Sequence, residues 1–476
     1  MKTLPSLLAL VAMLFSPLQA AGPVIVHEWG TFTSLQDENG KALGGINVDD
    51  EPAPPFVYFA GRIPVLSPTT YYGSFGLPPY GQLQEEGSGA IPFGSAAVTL
   101  RLETPVVYIY PPQGMPPASV PPLQVHVDFH GGILGQYYPY ARIKGLSSRG
   151  TELTGKTTTS LDWKVRQVGT PLTPIATTDK VWTTPREVSA PTLAVESKER
   201  GIKSGKGRVE AEKFLFYRGL GHLDSPIRLS RDLGVTDAQA KITVLAQKGS
   251  ETASSGGWLA DIRADGTCAF RAVPAFASKP GQTLAEIPSQ FEAADFSATN
   301  LTALTASMQE ALVREGLYAD EASAMLRTWE VSYFKSPGLR FFYIVPSPWV
   351  NEVLPLKITG APTEITRVMV GRIELVTASQ QAALKRLAAG PCPDLQSVRK
   401  AAFEVLQKGT MPREEMAAYY RGEKSLATLG IALPPEVQDY LSLGRFRDAL
   451  IVHEQQQNPT PALAQFIKIN QLGPVN

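Results

Sequence analysis

Two cysteines, Cys268 and Cys392, are all that 476 residues contain. That excludes a dense disulfide scaffold and any CxxC metal or redox motif. In an oxidising compartment the two are candidates for a single bridge, and closing so long a loop contributes roughly 4–5 kcal/mol in the chain-entropy model. An excess of charge of one sign is also missing, because Lys plus Arg and Asp plus Glu number 44 each. No global field then draws the chain to nucleic acid or to an anionic membrane. After residue 21 no run approaches ~18 consecutive apolar residues, so the mature chain is expected to lack a transmembrane helix. Finally, there is no G-x-S-x-G elbow, no P-loop and no G-x-G-x-x-G at a strand–helix junction. Nucleophilic-hydrolase and nucleotide-binding readings therefore have no motif to stand on.

What the chain does have begins at its start. Residues 1–21, "MKTLPSLLALVAMLFSPLQAA", place Lys2 before an apolar run from Leu7 to Phe15, then Pro17 and small residues. These are the parts of a secretory signal peptide cleaved near Ala20 or Ala21, which predicts a periplasmic or secreted protein. From 22 to 295 short β-branched and aromatic runs alternate with Pro/Gly punctuation, among them "PVIVHEWGTFTS", "AVTLRLETPVVYIY", "LQVHVDFH" and "EKFLFYRGL". That spacing predicts a β-rich, sandwich-like and mostly antiparallel body. "ENGK" at Glu38–Lys41 reads as a type I′ hairpin turn. Residues 296–376 read as an α+β segment packed on that body. In "ADEASAMLRTWEVSYF", Asp320 is the expected N-cap, and Ala322, Leu326, Trp329 and Tyr333 share one helical face. From 377 to 476 the helix start and stop signals repeat, giving a helical C-terminal region. The fold class is thus α+β.

The chemistry is sparser. If Val24–Ser34 is a strand, Val24, Val26, Glu28 and Phe32 share one face and His27, Trp29 and Thr31 the other. His27 and Glu28 then diverge unless a bulge near Gly30 re-aims one of them. A carboxylate on the Val24/Val26/Phe32 face needs a cation or donor, and Arg218, Arg367 and Arg372 are the first to consider. In "LQVHVDFHGG", His126, Asp128 and His130 share a face at roughly 6.6 Å steps, a spacing that suits a zinc or copper site if His27 supplies a third ligand. Asp37, Asn39, Asp49 and Asp50 offer oxygen ligands of the calcium type without EF-hand spacing. Glu103, Arg218, Arg340, Arg367, Arg372 and Glu374 interrupt apolar strands, and Arg372 and Glu374 are placed to pair. Glu28, Glu103 and Arg218 are the catalytic candidates. Tyr71, Tyr72, Tyr137, Tyr138 and Tyr140 sit in aromatic, Pro/Gly-rich stretches suited to stacking on a ligand.

Taken together, "HEWGTFTS", "ETPVVYIY", "EKFLFYRGLG", "TWEVSYF", "LRFFYIVPSPWVNEVLPL" and "RVMVGRIEL" resemble a family of exported bacterial proteins common among planctomycete-type bacteria. The resemblance spreads over most of Val26–Val376 and implies export without implying a reaction, cofactor or catalytic residue. The family carries F-P-x-G where this chain has "FHGG" at Phe129–Gly132, which makes His130 particular to this chain. His27, Glu28, Glu103, Arg218 and Trp329 remain the family-level candidates. The preferred reading is a non-catalytic envelope protein that binds a ligand or partner. The alternative is a metal-assisted hydrolase using His27 with His126, Asp128 or His130, and Glu28 or Glu103 as acid/base.

Overall fold

A computed structural model describes residues 22–47, 53–60, 95–147, 151–197, 208–231, 241–247, 252–263, 265–278, 283–408, 411, 426–470 and 472. The expected signal peptide, Asp49, Asp50, Tyr71, Tyr72 and the helix start at Pro412 lie outside the described residues.

The centre of the protein is the strand Val24–Gln36, in which only Ile25 is more than marginally exposed. It pairs in parallel with Thr363–Leu375 on one side and antiparallel with Leu100–Tyr110 on the other. Around these three a 15-stranded sheet extends in both directions, ending at Cys268–Val273 on one edge and Leu356–Thr359 on the other. Most neighbouring strands are antiparallel. The fold is therefore α+β with a β-rich, sandwich-like body. The segment 296–376 does more than pack on that body, because Gly338–Ile344 and Thr363–Leu375 sit within the sheet between Gly257–Ile262 and Val24–Gln36. The boundary at 296 marks a change of period and leaves the sheet undivided.

Three apolar cores follow from the sheet's two faces and one end. On the first face Val24, Val26 and Phe32 pack with Val107, Val125, Val127, Phe129, Trp163 and Tyr217. Only Gly360, Ala361 and Pro362 join the edge strand Leu356–Thr359 to the central strand Thr363–Leu375. The edge must therefore fold back over the middle of the sheet, which is how Val125–Phe129 comes to share a core with Val24–Phe32. On the second face Trp29, Val106 and Tyr108 are covered by the helices Thr299–Arg314 and Ala319–Thr328 through Leu304, Met308, Leu312 and Leu326. Ala322, Leu326, Trp329 and Tyr333 are all buried, as their spacing required. The N-cap is Tyr318 rather than Asp320, whose carboxylate instead accepts the backbone N–H of Ser189 at 2.8 Å. The third core joins Leu35, Val98, Ile133 and Leu220 to C-terminal helices that include Ala378–Ala389, Leu395–Lys408 and Arg447–Gln457. Ala378–Ala389 opens with a Thr377/Gln380 capping box and stops at Gly390 (φ 79°).

Two local expectations change. The irregularity near Gly30 lies on the partner strand, where Thr104 (φ 45°) and Pro105 insert between Val106 and Glu103. A Cβ at position 30 would meet Pro105 Cα at 2.9 Å, so Gly30 admits its neighbour's bulge and Val24–Gln36 keeps strict alternation. The turn at 37–41 has a positive φ at Gly40 alone, which excludes a type I′ turn, and Asp37 closes it by accepting the N–H groups of Asn39 and Lys41.

The Phe129 ring lies against Gly132, Gly219 and Gly221, where an added Cβ would come within 2.1, 3.1 and 3.0 Å of it. Gly132→Ala is expected to overpack the first core and destabilise the protein by roughly 1–3 kcal/mol, read from the urea midpoint of unfolding.

Candidate functional site

Strand alternation places Glu28 in the first core with 0% exposure. A carboxylate cannot stay ionised there alone. Its Oε2 accepts a hydrogen bond from Arg367 Nε at 2.5 Å, and Tyr217 donates its hydroxyl to Oε1. Arg367 lies directly opposite Glu28 in the parallel register, and Tyr217 comes from Leu215–Gly221 two strands away. Burial, reinforced by the Glu28 charge, holds the Tyr217 phenol well above its ordinary pKa, so it remains a donor. Burial alone lowers the pKa of a guanidinium, but Glu28 and Tyr217 outweigh it and raise that of Arg367.

Arg367 is also the floor of a cleft of about 370 Å³ lined by Ser347, Asn351, Pro355, Leu356 and Ile365. That volume lies within the range of small-ligand sites. Arg367 Nη1 donates to Asn351 Oδ1 at 2.9 Å, while Nη2 is buried without a hydrogen-bond partner among the described residues. The cleft thus offers the Asn351 amide and the Ser347 hydroxyl above an apolar wall of Pro355, Leu356 and Ile365, with the Arg367 Nη2 atom buried behind them. A second hollow, between Gly44, Ala96 and Asp448–Gln456, holds about 40 Å³, enough for no more than a few water molecules.

The remaining candidates lie elsewhere. His27 faces the helices, where its Nδ1 meets Glu321 Oε2 at 2.7 Å. Glu321 also accepts from Tyr110 and from the Tyr318 N–H, so the buried carboxylate ties the helix Ala319–Thr328 to the sheet. His126 uses both ring nitrogens, Nδ1 with Asp162 at 2.7 Å and Nε2 with Asp128 at 3.0 Å, and Lys144 closes the group at 2.7 Å from Asp162. His130 Nδ1 bonds the Glu352 carbonyl at 2.7 Å. His126, Asp128 and His130 lie on the outer face of their strand, whereas His27 lies under the helices, so alternation separates the expected metal ligands. No group of three His, Cys, Asp or Glu suited to a metal occurs among the described residues. Asp37 spends its carboxylate on its own turn, and Asn39 is exposed beside it.

Both cysteines are free thiols. Cys268 belongs to the second core and Cys392 packs against the third, so the expected bridge joins parts of the molecule that face different layers. Burial pushes the Cys268 thiol up to about 11, which makes it inert. Tyr137 and Tyr138 are buried rather than displayed, and Tyr58 stacks on Tyr137 at 5.7 Å while donating to Glu210.

Glu103 and Arg218 belong to a buried charge cluster. Arg101 Nε lies 3.3 Å and Arg445 Nη2 3.0 Å from Glu103 Oε1, and Arg218 donates to Thr104 Oγ1 at 3.1 Å. Glu374 receives Arg340 at 3.4 Å and Arg372 at 3.3 Å, the same-strand pair the spacing anticipated. Sequence reasoning reached Arg367 as a partner for Glu28. It missed the cleft, because Asn351 and Leu356 approach only through the folded-back edge, which leaves no local pattern.

Two predictions follow from these charges. Glu28→Gln and Arg367→Gln each strand one member of a buried pair and are expected to cost roughly 3–5 kcal/mol. The double variant should cost clearly less than their sum in a urea-unfolding cycle. Burial raises the pKa of Glu103, but Arg445, Arg101 and Arg218 outweigh it and hold the pKa below its ordinary 4.5. Its stabilising contribution is therefore present above pH 4.5 and lost as pH falls through the lowered value. The stability gap between wild type and Glu103→Gln is expected to be widest near neutrality and to narrow in acid, measured as urea midpoints from pH 7 to pH 3. No protein-family model matches the chain and no curated protein matches it, so the functional reading rests on this geometry.

Proposed function

We propose that this is an exported envelope protein that binds a ligand or partner, with the cleft at Arg367 as its binding site. The observation that carries the reading is a 370 Å³ cleft that sets the Asn351 amide and the Ser347 hydroxyl beside an apolar wall, backed by an Arg367 that Glu28 and Tyr217 hold in place. A few fixed polar groups beside an apolar wall are the composition of a recognition site. Binding rather than turnover is supported by what the candidate catalytic groups already do. Glu28 holds Arg367, Glu103 holds Arg101 and Arg445, and the His126 ring nitrogens are both engaged. Export is supported by the character of residues 1–21 and by the resemblance to an exported bacterial family. No helix among the described residues is long and apolar enough to cross a membrane.

Titration of the methyl-labelled protein with fractionated envelope extract tests the reading. The Leu356 and Ile365 methyl resonances are expected to shift while those of Ile262, in the second core, stay fixed. Intact mass of the protein from the envelope fraction is expected to show loss of the first 20 or 21 residues. Elemental analysis tests the hydrolase alternative. Stoichiometric zinc, copper or iron that disappears in a His126→Ala/His130→Ala variant would overturn the binding reading.

A further inference from the structure

One end of the sheet is built without charge. Val24–Gln36 starts there beside Thr363, and Leu100–Tyr110 ends there opposite Ile25. The loop 111–122 then leads to Leu123, which lies opposite Val165 near the end of Thr158–Val168. Thr359 lies opposite Gln124, and residues 360–362 lead from it back to Thr363. The register thus gathers the connections 111–122, 169–178 and 360–362 around the chain's entry at 22–23. The loop 111–122 is their hub. A Cβ at Gly22 would lie 3.8 Å from Pro112, one at Gly169 would lie 2.5 Å from Pro117, and one at Gly360 would lie 2.4 Å from the Pro122 carbonyl. None of these four segments contains Asp, Glu, Lys or Arg, although 18% of the chain is charged.

Apolar side chains stand out from this surface. Met115 is 41% exposed, Leu172 44% and Ile175 48%. Met115 sits on a turn closed by its own N–H on the Pro112 carbonyl at 2.9 Å, and a Cβ at Gly114 (φ 77°) would meet nothing within 4 Å. The base of the second loop is fixed by the Gly169 and Thr170 N–H groups, which donate to the Thr192 carbonyl at 2.8 and 3.0 Å. Eight prolines in the two loops fix φ further, so little chain entropy remains to be lost on binding.

The chemistry narrows what covers these tips. Protein hot spots are rich in Trp, Tyr and Arg, and the four segments have none. Tips that project from turns suit a deformable apolar phase better than a preformed groove does. Gly22 is also where the apolar N-terminal segment joins the body. On the export reading that segment holds the precursor at the membrane until it is cleaved, with this end nearest the bilayer.

We propose that this end of the protein rests on a lipid bilayer, with Met115, Leu172 and Ile175 sunk into the headgroup region. Because the surface carries no cation, attraction to anionic lipid contributes nothing, and binding depends on apolar burial alone. The Arg367 cleft contributes none of these residues, so the two proposals stand or fall separately.

The test uses the processed protein from the envelope fraction, freed of lipid, with vesicles of phosphatidylcholine alone and of phosphatidylcholine mixed with phosphatidylglycerol. The protein is expected to sediment with both, at affinities within about twofold of each other, and to stay bound as NaCl rises from about 0.1 to about 0.5 M. The Met115→Gln/Leu172→Gln/Ile175→Gln variant, altered at exposed positions only, should bind about tenfold more weakly or worse with an unchanged urea midpoint. A lipid-borne nitroxide should broaden the Met115, Leu172 and Ile175 methyl resonances and spare that of Ile262. No sedimentation with either vesicle overturns the proposal, as does binding that needs the anionic lipid and is lost in salt. Unchanged binding by the triple variant overturns it too. Self-association that the triple variant abolishes marks a second copy as the occupant. Binding to native envelope vesicles but not to vesicles of their extracted lipid marks a protein partner, and either result overturns the bilayer.

Discussion

A strand buried on both faces must find protein partners for its polar side chains, and Val24–Gln36 carries several. Trp29 Nε1 and Thr33 Oγ1 are buried without a hydrogen-bond partner among the described residues, but five others are met by different parts of the molecule. His27 reaches Glu321 of a covering helix, and Glu28 reaches Arg367 and Tyr217 of two other strands. Thr31 meets Tyr333, Ser34 meets Ser225, and Gln36 exchanges hydrogen bonds with the backbone of Ile227 and Leu229. Ile227–Arg231 opens a separate three-stranded sheet, so Gln36 alone joins two sheets by two bonds. The polar residues of one strand thereby specify how the helices, the small sheet and the neighbouring strands are positioned around it. Apolar side chains at the same places would supply burial without that directionality.

The same principle operates at the layer boundaries. Glu103 meets Arg445, which precedes the C-terminal helix Arg447–Gln457, and this buried ion pair links the β body to the helical region. Glu212, fully buried, takes Arg186 through two nitrogens and Trp182 Nε1 at 2.9 Å, fixing the loop that covers the second core. Truncating one partner of such a pair leaves a desolvated charge, so these contacts are far more costly to break than surface ion pairs such as Lys241–Glu286.

Much of this was legible before any coordinates. Period-two alternation assigned Val26, Glu28 and Phe32 to one face and His27 and Trp29 to the other, because alternation is a property of the strand itself. Period 3.6 placed Trp329 and Tyr333 in the core for the same reason. What escaped notice depends on register and on long-range pairing. No local signal puts Thr363–Leu375 parallel to Val24–Gln36 across more than three hundred residues. Nor does one reveal that the bulge near Gly30 belongs to Thr104–Pro105. His126 and Asp128 do share a face, as their spacing predicts, and that proximity lets them bond to each other.

The cleft follows from how the sheet ends. A sheet that folds back and closes becomes a barrel and removes its edges. Here the fold-back stops short, because Gly360–Pro362 brings the chain from the edge strand to the centre while the Ser347–Val353 helix occupies the space beside it. The gap that remains has Arg367 at its floor and, at its rim, the side of Leu356–Thr359 that no strand pairs among the described residues. Glu28 is what makes this floor possible. Without it the guanidinium would be a buried charge seeking a counter-ion, whereas with it Arg367 is fixed and neutralised. The carboxylate in "HEWGTFTS" is architectural in the contacts it makes, and those contacts shape the gap.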